Sequence, residues 1–284
     1  MTRFNRRDAG MRRGDTEKKD FAMTEHHIRF DVDDEGIGTI TIDRAEKRNA
    51  MTYKMLGAFI EAVRQAGADE RVRVLIVTGA GGTFCAGTDL ADLATIPGEN
   101  RGVRGEAHEG SVWWPIVSCP KPVIGAIDGY AVGMGAEFSS QCDVRIVTNR
   151  ARFAWNFAHR GLVPDTGAGS WILPRLIGPS RALRLLYSGD FLEAKEAQEF
   201  GYANEIVAPE TLMDAARAEA RKYLRSSPLS LRHMKSLVWQ GLERDVGAHM
   251  QKHVQALSAC FKSLDHKEGV AAFLEKRPAR FVGK

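Results

Sequence analysis

Three short runs rich in β-branched residues constrain the fold of this 284-residue chain more than any other feature. They cover residues 72–77, 123–127 and 144–147. Runs of this length and composition are typical of strands buried inside a sheet. Helical patterns separate them, and residues 52–66 before the first run place their apolar side chains on one helical face. This alternation predicts an α/β fold with a mostly parallel sheet.

Two earlier strands and a later series of helices complete the pattern. Residues 27–32 and 37–42 are predicted strands, and a turn rich in acidic residues and glycine joins them. After about residue 176 we predict helices only, at residues 180–187, 194–200, 211–225, 230–242 and 246–264.

We therefore expect three regions along the chain. Residues 1–22 mix acidic and basic side chains without an apolar core, which is typical of a disordered N-terminal extension. Residues 23–205 are expected to form the sheet-bearing core, and residues 206–284 a helical region. The apolar faces of those helices need a cover, either from the core or from a second subunit.

Composition favours a globular protein of the cytoplasm. The chain is 44% hydrophobic and 27% charged, which suffices for a substantial core. The formal net charge of +4 is small and comes partly from residues 1–22, so no nucleic-acid partner is expected. No apolar run approaches the roughly 18 residues that cross a bilayer. The N-terminus also lacks the features of a secretory signal or a mitochondrial transit peptide.

The cysteines and histidines form no recognisable metal or redox motif. Four cysteines lie far apart in the sequence and are expected to be thiols in a reducing compartment. His249 and His253 have the i, i+4 spacing of two ligands on one helix, but no third ligand is evident. The sequence therefore predicts no bound metal.

A glycine-containing segment at residues 84–90, FCAGTDL, follows the first buried run. The loop before it could cradle a phosphate, but Phe84 occupies the third position of a dinucleotide-binding glycine pattern, which argues against a nicotinamide enzyme. Gly87 permits a sharp turn that leaves the amide N–H of Thr88 directed into a cleft. The alternative is that this segment is only a tight turn.

A second segment at residues 133–137, GMGAE, follows the second buried run and is predicted to begin a helix. The first amides of a helix have no internal acceptor, so the N–H of Met134 is available to an anion. Glu137 lies one turn further on the same face. Two amides directed at one oxygen form an oxyanion hole, and a nearby carboxylate can move a proton, so the pair predicts enolate chemistry. The alternative is that Glu137 merely occupies a favourable first-turn position.

Five segments in this order resemble the crotonase superfamily, also called the enoyl-CoA hydratase/isomerase family. They are RNAM at residues 48–51, FCAGTDL at 84–90, the stretch from PKP to GMGAE at 120–137, GLVPD at 161–165 and AAFLEKR at 271–277. The resemblance implies a spiral of ββα units followed by a helical trimerisation region, assembled as a homotrimer or a hexamer made of two trimers. It also implies an acyl-CoA thioester substrate, with coenzyme A as part of the substrate and no separate cofactor.

The resemblance also implies roles for individual residues. Thr88 and Met134 would supply the oxyanion amides, and Glu137 would be catalytic. The adenine of coenzyme A would lie near Ala50, Ala86, Asp89 and Leu90. Lys47, Arg48 and Lys276 would face the phosphates of coenzyme A, although from the residues alone they would be surface charges. Gly133 and Phe157 are also assigned to substrate binding.

The chain departs from the family pattern at one catalytic position. Typical hydratases carry a second glutamate shortly before the GLVP segment, and Asn156 and Phe157 stand there instead. Asp165, eight residues beyond Phe157, is the candidate replacement. Dienoyl-CoA isomerases use an aspartate at this position for acid–base chemistry, and chlorobenzoyl-CoA dehalogenases use it as the nucleophile. The alternative is that Asp165 caps a helix beginning near Thr166.

These observations predict an enzyme that hydrates an unsaturated acyl-CoA or moves its double bond through a thioester enolate. Two other functions remain open at this point. One is an acyl-CoA-binding protein without catalysis, and the other is a hydrolase-like or dehalogenase-like reaction that uses Asp165.

Overall fold

The computed structural model describes residues 23–95 and 114–284. The extension expected at residues 1–22 lies outside the described residues. The described strands are β1 (Met23–Glu25), β2 (Ile28–Val32), β3 (Ile37–Ile42), β4 (Val74–Gly79), β5 (Val123–Ile127), β6 (Tyr130–Val132), β7 (Val144–Thr148), β8 (Arg152–Ala154), β9 (Leu192–Glu193) and β10 (Glu205–Val207).

The main sheet has seven strands in the order β1-β2-β3-β4-β5-β7-β10. The first three strands are antiparallel, and every later neighbour is parallel. Ile76 of β4 lies opposite Ile124 of β5, which in turn lies opposite Val144 of β7. The mostly parallel sheet predicted from the three buried runs is therefore confirmed.

A smaller sheet stands beside the main one and has the order β6-β8-β9. Strands β6 and β8 are parallel, and β9 is antiparallel to β8. Two isolated bridges lie beside these sheets: Met51 with Thr88 joins two loops, and Cys85 with Ala131 joins a loop to β6.

Helices cover the sheets and extend beyond them. They are α1 (Tyr53–Ala68), α2 (Leu90–Ala94), α3 (Pro115–Ser118), α4 (Met134–Gln141), α5 (Ala168–Ile177), α6 (Pro179–Ser188), α7 (Ala194–Glu199), α8 (Leu212–Leu224), α9 (Pro228–Gly241), α10 (Val246–Lys262) and α11 (Leu264–Leu274). Local sequence explains where several begin. Thr52 accepts a hydrogen bond from the amide of Met55 and so caps α1. Pro228 stands at the first position of α9, where its missing N–H costs nothing.

The main sheet is buried on both faces, which explains the continuous apolar runs. Leu75 and Val77 of β4 belong to the core shared with α1, whereas Val74 and Ile76 pack in a second core against α8. Side chains alternate across a strand, so both faces need apolar residues. Helix α8 supplies its side from positions four apart, namely Leu212, Ala216 and Ala220.

The expectation of helices only after residue 176 is wrong. Strands β9 and β10 lie in that part of the chain, and β10 pairs with β7 at the edge of the main sheet. Both strands are too short to produce a clear alternating pattern. The expected boundary after residue 205 falls inside β10, and α8 packs on the sheet, so the sheet-bearing core extends at least to the end of α8.

Polar contacts attach α9, the first of the last three helices, to the core. Lys235 of α9 donates to the carbonyls of Ile116 and Lys121, and its ammonium lies 2.8 Å from a carboxylate oxygen of Asp143. Large apolar side chains on these helices are exposed: Met234, Val238, Met250, Val254, Leu257, Phe261, Phe273 and Leu274. Across residues 23–95 and 114–284, no helix has both the length and the apolar character needed to span a membrane.

Candidate active site

The two glycine-containing segments lie side by side. The amide of Cys85 donates to the carbonyl of Tyr130 at 2.9 Å, and the amide of Val132 donates to the carbonyl of Cys85 at 2.9 Å. At Gly87, which has φ +102°, a Cβ atom would lie 2.9 Å from the carbonyl oxygen of Val132 and 3.9 Å from Cα of Gly133. The structure therefore brings together the segments that the sequence separates by almost fifty residues.

The bridge between Met51 and Thr88 determines where the amide of Thr88 points. Met51 donates to the carbonyl of Gly87 and accepts from the amide of Asp89, both at 2.8 Å. In a parallel bridge of this kind the middle residue directs its own N–H to the opposite side. Among the described residues, the amide of Thr88 has no backbone acceptor.

The second segment supplies the N-terminus of α4. Gly133 precedes the helix with φ 54° and ψ −119° and provides no side-chain cap. The first backbone bond of the helix runs from the amide of Glu137 to the carbonyl of Gly133. The amide of Met134 lies ahead of that bond, among the helix N–H groups that have no internal acceptor. A Cβ atom on Gly135 would lie only 2.2 Å from the carbonyl oxygen of Cys85, so glycine permits this close packing.

Glu137 is a fully buried carboxyl group whose two oxygens differ. The hydroxyl of Thr166 donates to Oε2 at 2.7 Å, whereas Oε1 has no hydrogen-bond partner among the described residues. Burial raises the pKa of Glu137 to about 7. The negative charge of Asp165 contributes to this raised pKa, and the Thr166 hydroxyl and the amides of Gly169 and Ala168 partly offset the rise.

Helix α5 begins immediately beside this carboxyl group. A Cβ atom on Gly169 would lie 2.5 Å from Oε1 of Glu137 and 2.8 Å from Cδ1 of Trp155. Glycine at this position therefore leaves space for Oε1. Sequence reasoning missed both Thr166 and Gly169. The available signal was a small, glycine-rich stretch, TGAG at residues 166–169, at the start of a predicted helix.

Phe157 and Asp165 take different places around Glu137. Phe157 is 8% exposed, and its Cζ lies 3.9 Å from the position of a Cβ atom on Gly133. Asp165 is exposed, and its charge raises the pKa of both Glu137 and Cys85. Asp165 therefore lies close enough to act electrostatically on both backbone segments.

The alternative in which Asp165 caps a helix is wrong. Helix α5 begins at Ala168, and its N-cap residue is Gly167 in a left-handed conformation without a side-chain cap. The amide of Gly167 donates instead to the carbonyl of Pro164, which turns the chain before the helix. The side chain that meets the first amide of α5 is that of Thr166, whose hydroxyl oxygen accepts from the amide of Ala168 at 3.4 Å.

The residues expected around the adenine share one surface loop system. The amide of Ala86 donates to the carbonyl of Arg48 at 3.0 Å, which joins the first and second family segments. Asp89 caps α2 through the amides of Ala91 and Asp92. Its carboxylate also pairs with Arg44 at 2.7 Å. Leu90, at the start of α2, is 53% exposed, and Ala50 is half-buried.

Asn49 is a residue that the sequence reasoning did not single out as an organiser. It is fully buried with φ 58°, and its side-chain amide donates to the carbonyls of Ala80 and Thr83. Its side-chain oxygen accepts from the amide of Arg44 at 2.8 Å. A buried asparagine in a left-handed turn thus holds the loops around residues 44–50 and 80–83 together. The signal was Asn within the RNAM segment.

The three expected phosphate-facing cations lie in two places. Lys47 and Arg48 are exposed, and the guanidinium carbon of Arg48 lies 5.9 Å from the ring centre of Tyr130. Lys276 is exposed just beyond the end of α11. Within the described ranges, no hydrogen bond or ion pair connects Lys276 with the residues around Glu137.

Metal ligands are not grouped in the part of the chain that the structure describes. No cluster of three or more His, Cys, Asp or Glu residues there is arranged to hold an ion. The rings of His249 and His253 lie 6.4 Å apart on α10. All four cysteines are free thiols, and three of them are buried.

Comparison with known proteins extends over both the sheet-bearing core and the C-terminal helices. Residues 33–284 match the family model described as Enoyl-CoA hydratase/isomerase. The chain is 35% identical over 255 residues to a crotonyl-CoA hydratase of Syntrophomonas wolfei, covering 88% of this chain and 96% of that protein. It is 35% identical over 256 residues to a 1,2-epoxyphenylacetyl-CoA isomerase of Escherichia coli, covering 88% and 97%. A solved enoyl-CoA hydratase structure from Bacillus anthracis superposes with a TM-score of 0.84 at 30% identity, covering 91% of this chain and 100% of that one.

Proposed function

Because the chain belongs to the enoyl-CoA hydratase/isomerase family, we propose that it moves the double bond of an unsaturated acyl-CoA thioester through an enolate. The crotonase-like fold expected from the sequence is confirmed by the superposition on a solved hydratase. The named relatives establish an enzyme of the lyase or isomerase class. The choice of double-bond migration, and the roles of individual residues, are our proposal.

The observation that carries the proposal is the state of Glu137. It is fully buried, it keeps one carboxyl oxygen without a partner among the described residues, and its pKa is raised to about 7. A carboxyl group with this pKa is populated in both protonation states near neutral pH, which suits a group that takes and returns the same proton. In the proposed reaction Oε1 removes a proton from one carbon of the acyl chain, and Glu137 or the second acid, Asp165, returns a proton to another carbon.

The negative charge of the enolate needs a partner, and two backbone amides are available. We assign this role to the N–H groups of Thr88 and Met134. They lie in the two glycine-containing segments, which approach each other closely at Gly87 and Gly133. As the thioester carbonyl becomes an enolate oxygen, each well-placed donor lowers the barrier by about 3–4 kcal/mol. The start of α4 adds the favourable end of a helix dipole.

A pair of glycine variants tests the backbone contribution. Gly87→Ala places a methyl group against the carbonyl of Val132 at a positive φ, whereas Gly201→Ala meets only the positive φ (+78°) with nothing within 4 Å. Gly201→Ala should lose about 1–2 kcal/mol of stability, and Gly87→Ala should lose more because its methyl group also clashes with the backbone. Only Gly87→Ala should lower kcat, by about 10-fold or more. Equal turnover in the two variants would remove the oxyanion assignment.

Migration is favoured over hydration by what surrounds Glu137. The position where hydratases of the family carry a second glutamate is occupied by the buried ring of Phe157, close to Gly133. A single buried acid and an apolar ring are poorly suited to hold and activate a water molecule. Asp165, which acts electrostatically on Glu137, is the proposed second acid of the proton transfer. One similar protein is itself named as an isomerase.

A panel of 2-enoyl-, 3-enoyl- and dienoyl-CoA esters tests the reaction directly, with products analysed by mass and by double-bond position. An unchanged mass with a moved double bond is the expected result. A mass gain of one water would replace the proposal with hydration. Release of free acid or halide would indicate the hydrolase-like or dehalogenase-like reaction through Asp165, and binding without any change in the ester would indicate a non-catalytic protein.

The substrate-binding surface is proposed from the same resemblance. Adenine would lie against Ala50, Ala86, Asp89 and Leu90, and Lys47, Arg48 and Lys276 would face the phosphates. The acyl chain would pass Gly133 and Phe157. The reaction needs no cofactor beyond the coenzyme A of the substrate. Replacing Arg48 with Leu should raise KM for the CoA ester several-fold and leave KM for the matching pantetheine ester unchanged.

We further propose that helices α9, α10 and α11, the part of residues 206–284 beyond the sheet-bearing core, mediate assembly of a homotrimer, or of a hexamer made of two trimers, in the cytoplasm. The exposed apolar side chains on α9, α10 and α11 support this assembly, and the four free thiols suit a reducing compartment. Light scattering coupled to size exclusion should give three or six times the chain mass. A monomer would contradict the proposal.

A further inference from the structure

We propose that Thr166 is a positioning residue that anchors one oxygen of Glu137 and so assigns the proton transfer to the other oxygen. The inference rests on the proposed role of Glu137 and adds to it the group that orients the carboxylate. Thr166 is not part of the segments that carry the family resemblance, and it stands 29 residues beyond Glu137 in the chain.

The first support is the geometry of the carboxyl group. The hydroxyl of Thr166 donates to Oε2 at 2.7 Å, which is a short distance for a hydroxyl–carboxylate bond. The two oxygens of a carboxylate are chemically equivalent until their surroundings distinguish them. Here one oxygen is held by a donor, and Oε1 points to the space beside Gly169, where a Cβ atom would lie only 2.5 Å away.

The second support is that Thr166 is itself held in place. The indole N–H of Trp114 donates to the backbone carbonyl of Thr166 at 2.9 Å. The ring of Trp114 packs against Trp171 of α5 with 5.1 Å between centroids, and Arg175 lies 3.7 Å from the centre of the Trp171 ring. This stack joins the segment before α3 to α5. The turn that carries Thr166 is therefore held in place by contacts on both sides.

The third support is the electrostatic effect of the hydroxyl. A donor to a carboxylate favours its charged form, so Thr166 lowers the pKa of Glu137 while burial raises it. Without the hydroxyl, Glu137 would stay protonated to higher pH and would lose the side-chain donor that holds Oε2. A purely structural threonine at the start of a helix would have neither effect.

Two variants and a control separate these roles. Thr166→Val keeps the shape of the side chain and removes the hydroxyl, and Thr166→Ser restores the donor. The matched control is Thr148→Val, because the hydroxyl of Thr148 also donates to a carboxylate oxygen at 2.7 Å, that of Asp128, and Thr148 is fully buried. Thr148 and Asp128 have no part in the proposed catalysis.

The first measurement is the pH dependence of kcat/KM for the double-bond shift. Thr166→Val should move the ascending inflection from about 7 upward by about one pH unit or more, because a hydrogen bond to a charged group is lost. It should also lower kcat at the plateau about 10-fold through loss of orientation. Thr166→Ser should return both values towards those of the wild type, and Thr148→Val should move neither.

The second measurement does not depend on turnover. Unfolding free energy is measured from pH 4 to pH 9 for the wild type and Thr166→Val, each with and without Glu137→Gln. Part of the unfolding free energy is lost with rising pH because Glu137 ionises, and this part is absent from variants that carry Glu137→Gln. In Thr166→Val this loss should continue to higher pH than in the wild type. The inference would be overturned if Thr166→Val left unchanged both the pH inflection of kcat/KM and the pH at which unfolding free energy is lost. In that case Thr166→Val would only lower stability uniformly, as expected for Thr148→Val.

The two proposals can fail separately. If Glu137→Gln retains wild-type turnover, the proposed function fails, and with it the assignment of Oε1 to proton transfer. If Glu137→Gln is inactive but Thr166→Val behaves like Thr148→Val, only the positioning role of Thr166 is overturned.

Discussion

Two charged side chains are buried near opposite ends of helix α4, and their surroundings differ. Arg145, just beyond the C-terminal end, is 3% exposed and donates to the carbonyls of Ser139, Cys142 and Tyr202. Glu137, in the first turn, is fully buried, and Oε1 has no partner in the described part of the chain. Both charges suit the helix dipole, a cation at the C-terminal end and an anion at the N-terminal end.

The difference separates a structural charge from a reactive one. Arg145 fastens the end of α4 to the loop before β10, because its donors satisfy carbonyl groups that would otherwise be buried without partners. Burial disfavours the charged form of Glu137 and so raises its pKa. A buried acid with a shifted pKa is typical of sites where a proton is exchanged. The comparison therefore predicts that changes at the two residues have opposite signatures.

The largest effect is expected for Glu137→Gln. Without an ionisable group at this position, kcat should fall about 100-fold or more, while the dissociation constant for the CoA ester should change little. Steady-state kinetics and calorimetric titration measure the two quantities. Glu199→Gln, on the exposed surface of α7, is the control. Wild-type turnover in Glu137→Gln would show that Glu137, like Arg145, has a structural role and no catalytic one.

The same variant has a predictable effect on stability. The folded-state pKa of Glu137 is about 7, above the ordinary glutamate pKa of 4.5. The wild type should therefore lose unfolding free energy as the pH rises from about 4.5 through about 7, by at most about 3 kcal/mol. Glu137→Gln should lack this loss. The difference in unfolding free energy between pH 5 and pH 8, measured by denaturation, should therefore be smaller in the variant than in the wild type.

A stability effect without a chemical one is expected for Arg145→Met. The variant leaves buried carbonyls without donors, at roughly 1–3 kcal/mol each. Unfolding free energy should fall by about 3 kcal/mol, as measured by urea denaturation, and the pH inflection of kcat/KM should stay in place at a temperature where the variant is folded. An inflection displaced as far as in Thr166→Val would contradict the structural assignment.

The smallest effect is expected for Asp165→Asn. Loss of this negative charge should lower the pKa of Glu137, so the inflection of kcat/KM should move to lower pH, opposite to Thr166→Val. Turnover should also fall, by less than in Glu137→Gln, because Asp165 is the second acid of the proposed transfer. Because Gly167 is the N-cap of α5, thermal stability should change little. A clear stability loss with an unmoved inflection would return Asp165 to a structural role.

The sequence predicted those parts of the molecule that local pattern determines. Strand β5 was predicted with the same bounds, residues 123–127, because it is buried on both faces and is apolar throughout. The helix start before Glu137 followed from local glycines. Strand β10 was missed because three residues cannot show a period, and it is a strand only through pairing with β7.

The sequence predicted the part of the site that α4 contributes, but not the residues that approach the carboxyl group of Glu137 from the start of α5. Met134 and Glu137 lie on one helix, so their spacing indicates a shared face. Thr166 and Gly169 approach Glu137 from α5, and only tertiary packing brings them within reach. The alternative of a cap at Asp165 is wrong for a related reason, because the left-handed turn at Gly167 moves the start of α5 to Ala168.

The pH dependence of kcat/KM for the double-bond shift tests most directly whether the ionisation of Glu137 governs the reaction. The rate should rise with pH to a plateau, with an inflection near 7, because the carboxylate form of Glu137 removes the proton. Thr166→Val should displace that inflection upward. A rate that is constant from pH 5 to pH 9 would show that the buried carboxyl group is not the proton acceptor, and would contradict the account.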